Sequence, residues 1–325
     1  MRKPQLTLPA LIAPTGDRLL TAEAFHGLAD VPPDMEWFAN LANAATRRVY
    51  KTALKDFTRF IGMECSQEFR IVTRAHVIAW RDELARRGVA SASIRHRLSM
   101  LASLFDYLCE KNTVTHNPVN GVTRPKAETS HGKTPALGDH QARTLLHAPQ
   151  GDTLKAKRDR AILATLLYHG LRRDELCKLK VKDTRQERRG VMHLKVSGKG
   201  GKTRYIPLHP AASSLIAEYL EAAGHGGDEG TALFRPLHNS RDKQSRAAMT
   251  PDGVYKLFRE YTGDALGKPY GVHTTRATAA TNALDNEADI AKVQEWLGHA
   301  NIATTRGYDH RRMRPEDSPT FRVAY

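Results

Sequence analysis

Leu297-Gly-His299-Ala-Asn-Ile-Ala-Thr-Thr-Arg-Gly-Tyr308, together with His273-Thr-Thr-Arg276 before it, is the stretch on which the reading of this chain turns. Two histidines, an arginine and a tyrosine are strung around an apolar helical run at 288–297. A phosphodiester repels nucleophiles and has a poor alkoxide leaving group. Without a metal, a protein that attacks one must supply cations for the non-bridging oxygens, a nucleophile, and a proton donor for the departing oxygen. Tyr308 is the candidate nucleophile. Its phenol has a reference pKa near 10, so surrounding cations are what would make attack feasible. His273 and His299 are placed to donate to phosphate oxygens or to take the phenolic proton.

Working outward, the clamp needs arginines, whose planar fork binds phosphate bidentately and stays charged. Arg276 and Arg172 fit. Each follows a helix break or loop, Gly170-Leu171 in one case and Tyr270-Gly271-Val272 in the other, which sets it near a helix N-terminus where phosphate is favoured. Glu175, three residues beyond Arg172, shares its face and would orient the guanidinium. Lys199 falls in Gly198-Lys-Gly-Gly-Lys202, between strand-like Met192–Val196 and Arg204–Leu208. The motif lacks the spacing and the following Ser/Thr of a P-loop. A lysine at such a hairpin tip could reach a scissile bond and protonate its 5′-oxygen. Singly these signals have plain structural readings: a solvated basic face, a basic turn, a helix-capping histidine after Gly298, a half-buried tyrosine. Their order along one chain is what makes them informative.

The bulk composition agrees. The 325 residues carry a formal charge of +15, with 40% hydrophobic and 26% charged residues. The isoelectric point is about 9.8. That is globular composition with a strong attraction to polyanions, nucleic acid above all. A membrane partner is disfavoured, because the longest apolar stretch, Ala161–Tyr168, suits a buried helix and cannot span a bilayer. The start has no apolar signal-peptide core. Cys65, Cys109 and Cys177, odd in number and dispersed, read as buried small apolar residues with no metal or disulfide role, which fits a reducing cytoplasm.

The expected fold is mainly α with a small antiparallel sheet. Residues 1–33 form a proline-bearing irregular arm, with one short helix around Thr21–Leu28. Residues 34–120 form an all-α domain. Its first helix carries the stripe Val49, Ala53, Phe57 and Phe60, widened by Tyr50, Leu54 and Ile61. Its second starts at Thr73, presents Val77, Trp80 and Leu84, and closes at Gly88. Its third starts near Ser91 or Ser93 and presents Leu98, Leu101, Phe105 and Leu108. Residues 121–135 are a basic linker without apolar periodicity; a stretch of that length spans at most roughly 45 Å, enough to cross a duplex. Residues 136–310 are a mixed α+β domain, with a hairpin at 192–208, a helix started by Thr250-Pro251, and helices over 274–285 and 288–297. Residues 311–325 are a tail.

With these residues in view, the chain resembles the tyrosine recombinase (phage-integrase-like, Xer-like) family. The matching text is Leu166-Leu-Tyr-His-Gly-Leu-Arg172-Arg-Asp-Glu175-Leu, then Gly198-Lys199-Gly-Gly-Lys-Thr-Arg-Tyr-Ile-Pro-Leu, His273-Thr-Thr-Arg276, Ala288-Asp-Ile-Ala-Lys-Val-Gln-Glu-Trp-Leu-Gly-His299 and Tyr308. The resemblance implies an N-terminal core-binding (SAM-like) domain and a C-terminal catalytic domain that clamp DNA. It further implies a covalent 3′-phosphotyrosine intermediate, a Holliday junction, a homo-tetramer on two duplexes with inverted-repeat sites, and no cofactor or metal. An accessory DNA-bending protein would be compatible, and the tail after residue 310 would dock on a neighbouring protomer. Two positions depart from the family pattern: Ala277, where many relatives carry histidine, and Arg173, where an aliphatic residue is common. The arm before residue 34 has no counterpart as an arm-site DNA-binding domain, which favours a Xer-like or transposon-resolution type. The competing readings are a non-catalytic DNA-binding protein on the same scaffold and a type IB topoisomerase-like nicking-closing enzyme. Arg47, Arg48, Lys51, Arg95 and Arg97 are the candidate major-groove contacts.

Overall fold

The computed structural model describes residues 28, 31–126, 134–198, 201–237, 246–308, 320 and 323. Lys199, nearly all of the expected arm and its short helix, and nearly all of the tail lie outside the described residues. The chain separates into two compact units, Met1–Thr129 and Ser130–Tyr325.

The first unit holds α1 (Pro33–Asn40), α2 (Ala44–Ile61), a 3-10 turn (Ser66–Ile71), α3 (Arg74–Arg86) and α4 (Ser91–Glu110). Thr73 caps α3 in extended conformation, its N–H donating to His76 Nδ1 at 3.0 Å. Gly88 closes the helix with φ +71°, in the left-handed region that glycine tolerates. The α4 stripe Leu98, Leu101, Phe105 and Leu108 is buried, and Trp80 packs edge-on against Phe57 with ring centroids 5.1 Å apart. In α2, Ala53 and Phe57 are buried as expected, but Val49 and Phe60 remain 47% and 39% exposed. On a 3.6-residue wheel, positions 50, 53, 54, 57 and 61 define the inner face, and 49 and 60 fall on its flanks.

In the second unit α5 (Asp139–Leu146), α6 (Leu154–His169) and α7 (Arg173–Lys178) precede a 3-10 turn (Val181–Thr184). The sheet follows with β1 (Gln186–Arg188), β2 (Val191–Ser197) and β3 (Thr203–Pro207). Next come α8 (Pro210–Ala223), α9 (Pro251–Leu266), α10 (His273–Asp285), α11 (Ile290–Leu297) and α12 (Ile302–Arg306). Helix α6 is buried around its circumference from Ala161 to Leu166, which explains its lack of a polar stripe. The sheet is antiparallel in the order β1-β2-β3, pairing Leu194 with Ile206 on the buried face and Lys195 with Tyr205 on the other. A two-stranded hairpin was the sequence expectation; β1 adds a short edge strand. Met192, expected to face inward, is 40% exposed because it pairs with Glu187 at that edge. The fold is thus mainly α with a small antiparallel sheet, as expected.

The expectation that all three cysteines are buried is corrected: Cys177 is buried and Cys109 intermediate, but Cys65 is exposed. It sits just before the 3-10 turn, outside the helical stripes. No described helix is long and apolar enough to cross a membrane.

Candidate active site

Helix α6 ends at Gly170, whose φ is +56° and whose added Cβ would lie 2.7 Å from Leu297 Cδ2. Both facts call for glycine. The chain then turns into α7 with Arg172 as its N-cap residue. Glu175 is 4% exposed; its Oε2 accepts from the Arg172 backbone N–H at 2.9 Å and its Oε1 from Arg172 Nη1 at 2.8 Å. The orienting contact expected of Glu175 is therefore present. Burial alone would raise the Glu175 pKa, but the Arg204 guanidinium and the Arg172 N–H outweigh it and hold the carboxyl at about 2.

Arg204 was not singled out from the sequence. It leaves β3 and binds Glu175 in a two-pronged pair, Nη1 to Oε1 at 2.9 Å and Nη2 to Oε2 at 2.8 Å. The available signal was the Lys-Thr-Arg-Tyr-Ile-Pro alternation, which places 204 opposite Val196, but its partner is set by tertiary packing.

The C-terminal end of α11 gathers the arginines. Trp296 O accepts from Arg204 Nε at 3.2 Å, Leu297 O from Arg276 Nη2, and Gly298 O from Arg172 Nη2 at 3.2 Å. Carbonyls in the last turn of a helix lack intrahelical partners and carry the negative end of its dipole, so they attract cations. Gly298, at φ +68°, turns the chain away and delivers His299 beside them. Arg276 is fully buried; its Nη1 also donates to Gly170 O at 2.6 Å. Burial, and then the neighbouring Arg172, lower its pKa to about 10, so it remains a cation at neutral pH.

The histidines divide. His273 Nε2 lies 2.9 Å from the Tyr308 hydroxyl. His299 Nε2 accepts from Arg276 Nε at 3.3 Å, so its Nδ1 carries the proton and donates to Thr305 Oγ1 at 2.9 Å. Burial, reinforced by Arg276 and Arg172, lowers both pKa values, that of His299 to about 4. Both rings are then neutral at pH 7. Thr305, also unforeseen, is fully buried and fixes the His299 tautomer.

Tyr308 is 6% exposed and packs with Ala277, Ala280, Leu284, Val293 and Leu297. Its pKa is raised: burial outweighs the opposing pull of Arg276 and Arg172. The cations that the sequence places around the phenol to make attack feasible are present, but at rest they do not offset its burial. The resting phenol is protonated, and a base must take its proton. Ala277 is 1% exposed inside this cluster, where a histidine would overfill the packing. Arg173 points elsewhere, its guanidinium 5.9 Å from the Tyr255 ring centroid. A cleft of about 400 Å³, lined by Arg172, Arg173, Tyr255 and His273 among others, opens beside the site.

In the first unit, Arg48 and Lys51 are exposed and Arg47 half-buried, without ion pairs among the described residues. Arg97 Nη1 instead pairs with Asp56 at 2.9 Å, and Arg95 Nη1 donates to Pro125 O at 3.1 Å. Together with Arg81 on Thr123 O at 3.0 Å, that last bond holds the beginning of the expected linker against α3 and α4.

Comparison with known proteins gives matches across both units. The phage integrase family matches residues 136–314, and the phage integrase N-terminal SAM-like domain matches residues 39–112. The tyrosine recombinase XerC of Pelobacter propionicus is 33% identical over 269 residues, covering 82% of this chain and 84% of its own length. The tyrosine recombinase XerD of Listeria innocua is 30% identical over 275 residues, covering 82% of this chain and 88% of its own. Among solved structures, the XerH site-specific recombinase in a post-cleavage complex with palindromic difH substrate has a TM-score of 0.65 at 21% identity, covering 83% of this chain and 77% of its own. A lambda integrase tetramer bound to a Holliday junction has a TM-score of 0.66 at 17% identity, covering 89% and 79%. At those identities the structural likeness is one of fold.

Proposed function

The chain belongs to the phage integrase family and is a tyrosine site-specific recombinase; from that premise we propose that it cuts and rejoins DNA through a 3′-phosphotyrosine at Tyr308. The observation that carries the proposal is the contact of the Tyr308 hydroxyl with His273 Nε2, 2.9 Å, beside three arginines gathered at the α11 C-terminus, two of which, Arg172 and Arg204, share the Glu175 carboxylate.

A neutral His273 bearing its proton on Nδ1 accepts the phenolic proton at Nε2 as Tyr308 Oη bonds to phosphorus. Arg172 and Arg276 take up the charge that develops on the non-bridging oxygens. The phosphorus–O5′ bond breaks, and Lys199 delivers a proton to that oxygen. The products are a 3′-phosphotyrosine and a free 5′-hydroxyl. The phosphoester bond is conserved, so attack by another 5′-hydroxyl reseals the strand without ATP. The assignment of Lys199 rests on its sequence position alone, between Gly198 and the glycines of the β2–β3 turn. His299, held by Thr305 and bonded to Arg276, serves as a neutral orienting group rather than as the base.

The same reading makes the working assembly a tetramer on two duplexes at inverted-repeat sites; the tetrameric state is supported by the likeness in fold to a lambda integrase tetramer bound to a Holliday junction. Exposed Arg48 and Lys51 on α2, with Arg47, are the proposed DNA contacts of the first unit, and a cytoplasmic location suits the enzyme. The experiment is a suicide substrate, a site nicked just beyond the scissile phosphate so that the freed 5′ fragment diffuses away. The protein is expected to accumulate a covalent adduct that Tyr308→Phe abolishes. An adduct undiminished in that variant would reject Tyr308 as nucleophile. No adduct on a site that the protein binds specifically would favour the non-catalytic reading.

A further inference from the structure

Glu175 and the α11 terminus have two arginine partners in common, Arg172 and Arg204, and Arg204 is the less exposed of the two. Its side chain is 16% exposed, against 38% for Arg172. It takes both oxygens of Glu175 in a fork, which leaves Arg172 a single side-chain bond to that carboxylate. The second anchor of the Arg172 guanidinium is Gly298 O, and this turn also leans on Arg204: a Cβ at Gly298 would lie 3.3–3.5 Å from Arg204 Cδ, Nε and Nη1. Arg204 Nε binds the carbonyl two residues earlier, at Trp296. Both supports of Arg172 therefore rest on one side chain of β3.

We propose that Arg204 is a positioning residue for strand cleavage, balancing Glu175 so that Arg172 keeps donors free for the scissile phosphate. This rests on Arg172 being part of the phosphate clamp. Take away Arg204, and the carboxylate of Glu175 is left buried with only Arg172 to neutralise it. Breaking a buried pair in this way strands a charge, and the remaining, more exposed partner, Arg172, closes on it. Arg172 has a fork of its own, and a two-pronged Arg172–Glu175 pair spends the donors that phosphate needs. Lysine substitutes only in part at 204, because a point charge cannot hold both carboxylate oxygens and the Trp296 carbonyl together.

The test measures single-turnover adduct formation on the suicide substrate in the full-length protein, with melting temperature followed for every variant. Arg204→Gln is expected to slow cleavage by about 100-fold, the scale of losing one well-placed charge-stabilising donor, while DNA affinity changes little. Arg204→Lys should lie in between, and it carries the test if the glutamine variant does not fold. Adding Glu175→Gln to Arg204→Gln removes the stranded charge and should restore roughly tenfold. A substrate with methyl in place of one non-bridging oxygen at the scissile phosphate is uncharged there, and should shrink the Arg204→Gln defect. A residue that only stabilised the fold would produce neither rescue. Cleavage by Arg204→Lys at the parental rate, or a double variant slower than Arg204→Gln at a temperature where both are folded, overturns the proposal. Arg172→Ala and Tyr308→Phe run alongside; if those still form adduct, the reading of the site falls instead.

Discussion

At the residue scale, the site turns on which groups hold protons at rest. Tyr308 keeps its proton because burial outweighs its cationic neighbours, and His273 is free to take it because burial and the arginines depress its pKa below 6.5. The cleavage rate is therefore expected to climb with pH as His273 loses its proton, below 6.5, and to level off through pH 7–8. His273→Ala should slow the step by about 10²–10⁴-fold, the usual worth of a general base, and shift the remaining activity to alkaline pH. Single-turnover rates across pH 5–9 check this; an unchanged profile in the variant would assign the base elsewhere. The groups brought together here were legible in sequence because each follows local punctuation: a glycine break before Arg172, a loop before His273, Gly298 before His299. Arg204 was not, since its partner lies 29 residues away in sequence and is met only when β3 folds over α7. The direction of the Tyr308 shift was equally out of reach, because burial depth is a property of packing and not of composition.

At the element scale, the C-terminus of α11 does for three arginines what a helix N-terminus does for an anion: it offers unpaired backbone groups of the right polarity. The arrangement depends on α6 and α11 approaching closely at Gly170. Gly170→Ala would force a left-handed alanine and press a methyl to 2.7 Å from Leu297 Cδ2. We expect a loss of about 1–3 kcal/mol, seen as a melting temperature lower by several degrees, together with slower cleavage because Gly170 O and Leu297 O both hold Arg276. An unaltered melting temperature would mean that the contact is loose. Long periodic helices such as α3 and α4 were readable from their stripes and caps. The edge strand β1 and helices α5, α8 and α12 were not anticipated. The strand is three residues long and α12 only five, and such short pieces owe their structure to neighbours more than to their own pattern.

At the scale of the molecule, two properties follow from charge and burial. Net charge of +15 predicts DNA affinity that falls steeply with salt, by roughly 0.9 log units per log unit of salt for each phosphate engaged. A flat salt titration by fluorescence anisotropy would argue against phosphate contacts. The second property is sensitivity to acid. His169, 1% exposed, donates from Nδ1 to Thr165 O and accepts at Nε2 from the His209 N–H, and burial lowers its pKa to about 4. A depressed histidine binds fewer protons folded than unfolded, so stability is full above about pH 6.5 and is lost as pH falls toward 4. For His169 the loss is on the order of 2–3 kcal/mol, and urea unfolding at pH 7 and pH 4.5 measures it; equal midpoints would contradict the buried neutral imidazole. The claim at the centre of the account is the identity of the nucleophile. Trapping the covalent complex, digesting it with protease and nuclease, and sequencing the nucleotide-bearing peptide by mass spectrometry tests it most directly. The account predicts a single adduct on Tyr308, joined to the 3′-phosphate. An adduct on any other residue, or at a 5′-phosphate, would contradict it.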